Sequence, residues 1–381
     1  GGGRSAMAPG GRFVVANNKG GSGKSTLLFQ LACASALARP EAEVLVLDLS
    51  LYSDSTTLLM GGTAREGLLA ASRGAQRAVE QTERGTRAEG LLRALAEGAA
   101  APSSAAGVSG LLKSFSPFAG ASKPAAGGAL DLNQYAVAPH AVNPAVPPNV
   151  RLVASCGDLP LEEEEWRVAA ARLRQALDAL PPSTVVFVDT DHLTNAPCTK
   201  MALAAADSLV VPVSLDDNDF SRMFMDPTGN SLWDVLQGLQ DEGLLRARVH
   251  KLVFNRVTAM KNASAEQGGI ASPFSPPKAC FEQMLEITSQ LYECYRPSNF
   301  QLFQDGAQVA TQRQFNERYV TAFRTASETT MNASKLMGSP FRNLRAEKAE
   351  VGGHHLDLSK AGLQIETLCQ GVQDLMEAIM G

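Results

Sequence analysis

The sequence has no surplus of positive charge. Its 34 Lys and Arg are outnumbered by 39 Asp and Glu, for a formal net charge of −5 over 381 residues. That balance excludes a chain that coats nucleic acid by bulk charge and leaves room only for a local basic patch. No apolar run approaches the roughly 18 residues of a membrane span. The opening Gly1 to Arg12 lacks the apolar stretch of a secretory signal, and its lack of an initiator Met reads as either a fragment or a leftover of an added leader. There is no CxxC pair among Cys33, Cys156, Cys198, Cys280, Cys294 and Cys369, which argues against a zinc site. These thiols read as reduced groups in a cytoplasmic protein. Aromatic and charged residues are sparse, at 6% and 19%, but 45% apolar content is enough for a sizeable core. The length is long for one domain and within reach of an α/β domain carrying an insertion.

What is present is an alternation of apolar runs and helical spacings. Phe13 to Ala16 is a short β-branched run. Lys24 to Arg39 has Leu27, Leu28, Leu31 and Leu37 near helical spacing, which predicts a helix. Val44 to Asp48 is a continuous apolar run ending in a carboxylate, the pattern of a parallel strand buried on both faces. Strand, helix and strand in so short a span make a βαβ unit. From Thr63 to about Pro148 the texture turns to Ala, Gly, Ser and Pro. Leu68 to Leu95 has room for two short helices, and the remainder reads as a low-complexity, flexible insertion. The pattern resumes with strands at Val150 to Val153, Val185 to Asp189, Ser208 to Val213 and Lys251 to Asn255. Helices are expected up to about Leu180, over Ala202 to Ala206 and over Leu232 to Leu245. From Ala279 onward the chain reads mainly helical. The expectation is an α/β fold with a mainly parallel, twisted sheet and helices on both faces. Residues 1–11 read as a flexible tail and 12–381 as a single domain with its insertion at about 63–148.

The strongest signal is Asn18-Lys19-Gly20-Gly21-Ser22-Gly23-Lys24-Ser25-Thr26, between a strand and a helix. In that context it reads as a phosphate-binding P-loop. Glycines let successive backbone N–H groups turn inward around phosphate oxygens, and the helix N-terminus adds partial positive charge. Lys24 would reach the terminal phosphates and Ser25 would ligate Mg²⁺. Position 18 departs from the general G-x-x-x-x-G-K-[ST] pattern, but Asn tolerates left-handed backbone. Lys19 is either a solvated loop lysine or one that reaches phosphates bound by a facing subunit. The residues alone leave both open.

These residues carry a resemblance. Lys19 to Thr26 is similar to the deviant Walker A loop of the ParA/MinD ATPases. Those proteins segregate plasmids and chromosomes or position other cargo. Asp48 to Asp54, closing at Leu58 to Gly62, resembles the family's switch I segment. Val185 to Asp189 resembles its Walker B strand, Ala204 to Pro212 its helix-to-strand passage, and Phe254 to Val257 its adenine-contacting segment. Asn149 to Val153 followed by Gly157 to Glu162 also resembles a subgroup of ParA-like partition proteins. The likeness covers about residues 12–62 and 150–260. It implies a P-loop NTPase fold and an ATPase that works as an ATP-dependent homodimer. By resemblance, Gly20, Gly21, Ser22, Gly23, Lys24, Ser25 and Thr26 hold the nucleotide, and Asn255 meets its base. Lys19 crosses the dimer interface. Ser25, Asp189 and Asp48 attend Mg²⁺, with Asp189 acting through water.

The departure is at Ser50, where most family members carry a second Asp that orients the attacking water. Serine can hydrogen-bond water but cannot accept its proton at neutral pH. Phosphoryl transfer is mostly positioning and charge stabilisation, so slow hydrolysis is the expectation. Asp54 and the Asp191-His192 pair are candidate substitutes, although His192 reads rather as a packed or solvated residue. The other class compatible with Ser50 is a non-hydrolysing scaffold that dimerises on ATP and recruits a partner. The resemblance also implies nonspecific DNA binding through late basic residues and an unidentified activating partner protein. Arg313, Arg318, Arg324, Lys335, Arg342, Arg345 and Lys348 supply a mildly basic stretch. The interleaved Glu317 and Glu347 favour a solvated helical face. The C-terminal helix has an apolar stripe from Ala361 to Ile379, but Glu366, Asp374 and Glu377 make its polar face acidic. It reads as core packing, not as a membrane anchor. Cys198 beyond the Walker B strand raises an iron–sulfur alternative, for which no matching second cysteine stands in place.

Overall fold

The computed structural model describes residues 10–65, 70–97, 129–157, 159–192, 196–215, 231–261, 263–298 and 300–381. The βαβ unit opens it: β1 (Arg12–Val15), α1 (Lys24–Ala38) and β2 (Val44–Leu49). There follow α2 (Asp54–Leu59), α3 (Arg73–Gln81), α4 (Ala88–Ala96) and β3 (Val150–Val153). Next come α5 (Trp166–Asp178), β4 (Val185–Thr190), α6 (Pro197–Ala205), β5 (Ser208–Val213), α7 (Leu232–Asp241) and β6 (Arg248–Val257). The last part holds β7 (Ala265–Gln267), β8 (Ile270–Ser272), α8 (Lys278–Tyr295), α9 (Gln312–Tyr319) and β9 (Val320–Arg324). It ends with α10 (Glu328–Met337), β10 (Lys348–Val351), β11 (His354–Asp357) and α11 (Gly362–Met380).

Seven strands make one sheet in the order β3-β2-β4-β1-β5-β6-β9, with every neighbouring pair parallel. β2, β4 and β5 are buried at every position, as their unbroken apolar runs require of strands covered on both faces. One face is covered by α1, α2 and α11, with Leu28, Phe29, Leu59, Leu368 and Leu375 in the packing. The other is covered by α4 to α9, with Leu92, Trp166, Leu173, Met201, Leu236 and Phe315. The stripe of α11 faces the first of these two cores, beside α1, through Ile365, Leu368, Val372, Leu375, Met376 and Ile379. No helix among the described residues is long and apolar enough to cross a membrane.

Three expectations are corrected. Lys251 to Asn255 is not the last strand of the sheet, because β9 adds a seventh beyond it. α9 runs into β9 without a Gly or Pro between them, so the sequence there reads as one continuing helix. The late region also contains two hairpins, β7–β8 and β10–β11, each turning on a Gly-Gly pair at positive φ. The stretch 63–148 is partly core. Leu91, Leu92 and Leu95 of α4, with Leu130, Leu132 and Val146, are all buried. A few leucines at helical spacing are masked by the surrounding Ala and Gly. Residues 66–69 of that stretch, with Leu68 where the expected helices begin, and residues 98–128 lie outside the described residues, as does Asp158. Of the tail expected over 1–11, residues 1–9 also lie outside them. Gly10 N–H donates to Pro182 O at 2.6 Å, and Gly11 O accepts from Val186 N at 2.8 Å.

Candidate functional site

The carboxyl ends of β1, β2, β4 and β6 converge on one edge of the sheet, where ligands of open α/β folds bind. The loop from β1 into α1 carries Gly21 and Gly23 at φ +84° and +85°. At Gly23 space is also limiting, since a Cβ would lie 2.5 Å from Asn255 Nδ2. Asn17 anchors the base of the loop. Its Nδ2 donates to Pro212 O at 2.5 Å and its Oδ1 accepts from Lys19 N at 3.2 Å. Asn255 supports the far side, donating from Nδ2 to Ser22 O at 2.8 Å and accepting at Oδ1 from Arg256 N at 2.9 Å. Both polar atoms of Asn255 are thus engaged with backbone. Lys24 is buried along the loop, and its ammonium donates to Asn17 O at 3.2 Å and Lys19 O at 3.0 Å.

The register of β2 against β4 pairs Asp48 with Asp189. Adjacent strands run about 4.8 Å apart, so two carboxylates share one buried pocket. Burial, and then the charge of Asp48, push the Asp189 carboxyl up to about 7, while the hydroxyls of Ser55 and Ser25 pull the other way. Ser55 Oγ donates to Asp189 Oδ2 at 2.6 Å, and Asp189 Oδ1 is buried without a hydrogen-bond partner. Burial raises the Asp48 pKa too, against bonds from Ser50 and Thr56. Asp48 Oδ1 accepts from Ser50 N at 3.0 Å and Ser50 Oγ at 2.6 Å, and its Oδ2 accepts from Thr56 N at 2.7 Å. Its carboxylate therefore holds the turn from β2 into α2. Ser155 closes the same network through Ser155 N to Thr56 Oγ1 at 2.9 Å and Ser155 Oγ to Ser50 O at 2.8 Å.

In front of these groups lies a cavity of about 380 Å³. It brings together Gly20, Gly21, Gly23, Lys24, Ser25, Thr26 and Ser50 of the expected site. Lys19, Ser22, Asp48, Asp189 and Asn255 stand outside its lining. Asp54, Asp191 and His192 line it. Asp191 Oδ2 accepts from Leu51 N at 3.2 Å, and His192 Nδ1 lies 2.5 Å from Asp191 Oδ1. The His192 ring stacks on Tyr52 with centroids 5.8 Å apart. The Asp191-His192 pair thus pins the turn at 51–52. Asp54 has its pKa raised by burial, opposed by Lys335 and Lys24. Two cations outside the expected site residues, Arg256 and Lys335, also line the cavity. Arg256 follows Asn255 directly and had that much signal. Lys335 is marked in the sequence only as part of the late basic stretch, with nothing to tie it to this cavity, since it comes from α10 near the far end of the chain.

The late basic stretch does not form one face. Arg313 pairs with Glu317 at 2.8 Å, Arg318 pairs with Asp305 at 2.7 Å, and Lys335 belongs to the cavity. Cys198 is buried in α6, and that burial pushes its thiol pKa up to about 12.

A family model described as the CobQ/CobB/MinD/ParA nucleotide binding domain matches residues 13–272. Among solved structures, the chain is similar to a Cyanothece McdA variant in complex with ATP (14% identity, 97% of this chain and 96% of that one, TM-score 0.50). It is similar to ParA of pNOB8 (12% identity, 97% of each chain, TM-score 0.53). It is also similar to the same ParA bound to nonspecific DNA (14% identity, 97% of each chain, TM-score 0.50). At these identities the likeness is one of fold. No curated protein matches the sequence. The P-loop between β1 and α1, the parallel sheet and a family match over more than half of the sequence agree: this chain belongs to the CobQ/CobB/MinD/ParA nucleotide-binding family.

Proposed function

We propose that the chain is a ParA-like ATPase, a switch in which Mg²⁺-ATP closes two copies face to face and slow hydrolysis or a partner opens them. The observation that carries this reading is the buried, unpartnered Asp189 Oδ1 behind Ser25, at the foot of a glycine loop shaped for phosphate. Two buried carboxylates side by side are costly until a cation arrives, so these residues fit Mg²⁺. Among the described residues no three His, Cys, Asp or Glu side chains converge as a metal cage. Mg²⁺ would therefore be held by the Ser25 hydroxyl, by Asp189 through water and by the nucleotide's own phosphates. Asp48 would add negative charge from behind. When bound, the ion would neutralise charge on the phosphate oxygens.

The chain's own groups would do the rest. The loop N–H groups and Lys24 would bind and orient the phosphates. Lys19 stands outside its own chain's cavity, which supports a role toward a facing copy. Leu51 and Tyr52, 44% and 66% exposed at the rim, support an apolar meeting surface there. The Ser50 proton is committed to Asp48, so Ser50 offers attacking water a lone pair and no base. That supports slow turnover, and it equally favours the second reading, an ATP-binding scaffold that does not hydrolyse. A DNA-bound ParA of the same fold makes nonspecific DNA the cargo surface to test first. The activating protein is unidentified, and a cytoplasmic site of action fits the reduced cysteines.

The test is Mg²⁺-ATP turnover at saturating nucleotide, with and without double-stranded DNA, alongside sizing for dimers. Turnover that rises with DNA supports the partition ATPase. An ATP-dependent dimer with no turnover supports the scaffold. Lys24→Ala with unchanged ATP affinity would remove the site assignment.

A further inference from the structure

The cavity contains more positive charge than its P-loop supplies. Besides Lys24 it holds Arg256 and Lys335, and the carboxylates that line it are Asp54 and Asp191. Asp191 is engaged with Leu51 N–H and His192. Arg256 reaches the loop from a left-handed backbone, φ +61°, that a non-glycine residue adopts only at a cost. Its Nε stands 3.9 Å from where a Cβ on Gly23 would be. Lys335 lies near Arg256 and Asp54. Burial pulls its pKa down, Arg256 adds to that, and Asp54 opposes it. Cations gathered in a half-buried space leave an anion as the missing partner.

Lys335 is also held in place from two directions. Toward α1, Gln30 Nε2 donates to Ser334 Oγ at 3.0 Å, Phe341 N donates to Gln30 Oε1 at 3.0 Å, and Ser334 Oγ donates to Ser339 O at 2.7 Å. Toward the segment after α2, Thr63 N donates to Lys335 O at 2.8 Å and Ala64 N to Leu336 O at 3.2 Å. Gly62 and Gly338 pack backbone to backbone, so closely that a Cβ on Gly62 would lie 2.3 Å from Gly338 N. A flexible surface lysine needs no such clamp. A lysine that must meet a ligand at a fixed distance from the P-loop helix does.

We propose that Lys335, supplied by the C-terminal part of the chain, is a phosphate-binding residue that contacts the nucleotide's phosphate chain from outside the P-loop, with Arg256 beside it. This rests on the ATP-site reading above. In the nucleotide-free protein Asp54 partly balances Lys335 and Lys24, and the incoming phosphates take over that role. The experiment is titration calorimetry of wild type, Lys335→Met and Lys335→Arg with a Mg²⁺-bound non-hydrolysable ATP analogue and with Mg²⁺-ADP, together with melting of each nucleotide-free protein. Lys335→Met should weaken both ligands by about tenfold or more. Lys335→Arg should recover most of that loss, and nucleotide-free Lys335→Met should melt no lower than wild type. Affinities within about twofold of wild type overturn the proposal. A loss accompanied by a lower melting temperature and not recovered by Arg overturns it as well, because Lys335 would then be structural. Wild type that binds neither nucleotide removes the ATP-site reading itself, a result separate from any effect of Lys335.

Discussion

Replacing Asp189 by Asn should stabilise the nucleotide-free protein while weakening its binding of Mg²⁺-nucleotide. Asp189 is fully buried, abuts Asp48 in register and has one oxygen without a partner. Its pKa of about 7, against an ordinary 3.8, makes ionisation in the native state costly. At 1.4 kcal/mol per tenfold in proton affinity, the cost is about 4 kcal/mol. The sign follows from linkage. Below pH ~4 both native and unfolded states hold the proton and the cost vanishes, whereas above pH ~7 both are ionised and the native state bears all of it. Asn carries no charge and its carbonyl can still accept from Ser55. With relaxation of the pocket, about half the cost, roughly 2 kcal/mol, should be recovered at pH 8. At about 2.1 cal/mol/K per residue that raises the melting temperature by about 2–3 °C. Scanning calorimetry at several pH values reads it directly, and the gain should shrink toward zero as the pH is lowered to about 4. Mg²⁺-nucleotide should raise the melting temperature of wild type more than that of the variant. A variant that melts below wild type at pH 8, or that gains equally at both ends of the range, would refute the reasoning.

Two further substitutions probe other parts of the site. Asn255→Ala strands Ser22 O and Arg256 N, so denaturant unfolding should show a loss of about 1–3 kcal/mol, with weaker binding of every nucleotide. Unchanged ATP affinity with a lost preference for ATP over GTP would instead return Asn255 to the base. Ser50→Asp removes the hydroxyl donor to Asp48 and sets a second carboxylate against it. It should cost the nucleotide-free fold about 1–3 kcal/mol and raise Mg²⁺-dependent turnover, and unchanged turnover would remove Ser50 as the limit on rate.

Much of the scaffold can be read along the chain because its signals are local. β1, α1, β2, β3, β4 and β5 follow from apolar runs and helical spacing within single segments. The P-loop is legible because a left-handed glycine and a lysine one residue on act on the same few atoms. The Gly-Gly turns at Gly268-Gly269 and Gly352-Gly353 were also in the sequence. They do not read as hairpins along the chain because the strands beside them are only three or four residues long. β9 was hidden for the opposite reason, since nothing punctuates the passage from α9 into it.

By itself, then, the sequence determined where a glycine-rich loop joins a strand to a helix and that an acidic side chain would stand at the carboxyl end of each of β2 and β4, one residue before the last. Those are properties of contiguous residues and of strands buried on both faces. Only the tertiary structure decided how those pieces meet. The sheet register sets Asp48 beside Asp189 and raises the cost of both charges. The packing of α10 on α1 and on Gly62 carries Lys335 into the cavity across some 300 residues of chain. Asn255 meets the P-loop at Ser22 O because β6 ends within hydrogen-bond reach of it. Hydrogen bonds and Coulomb forces act over a few ångströms of space, and separation along the chain does not reveal which groups lie that close.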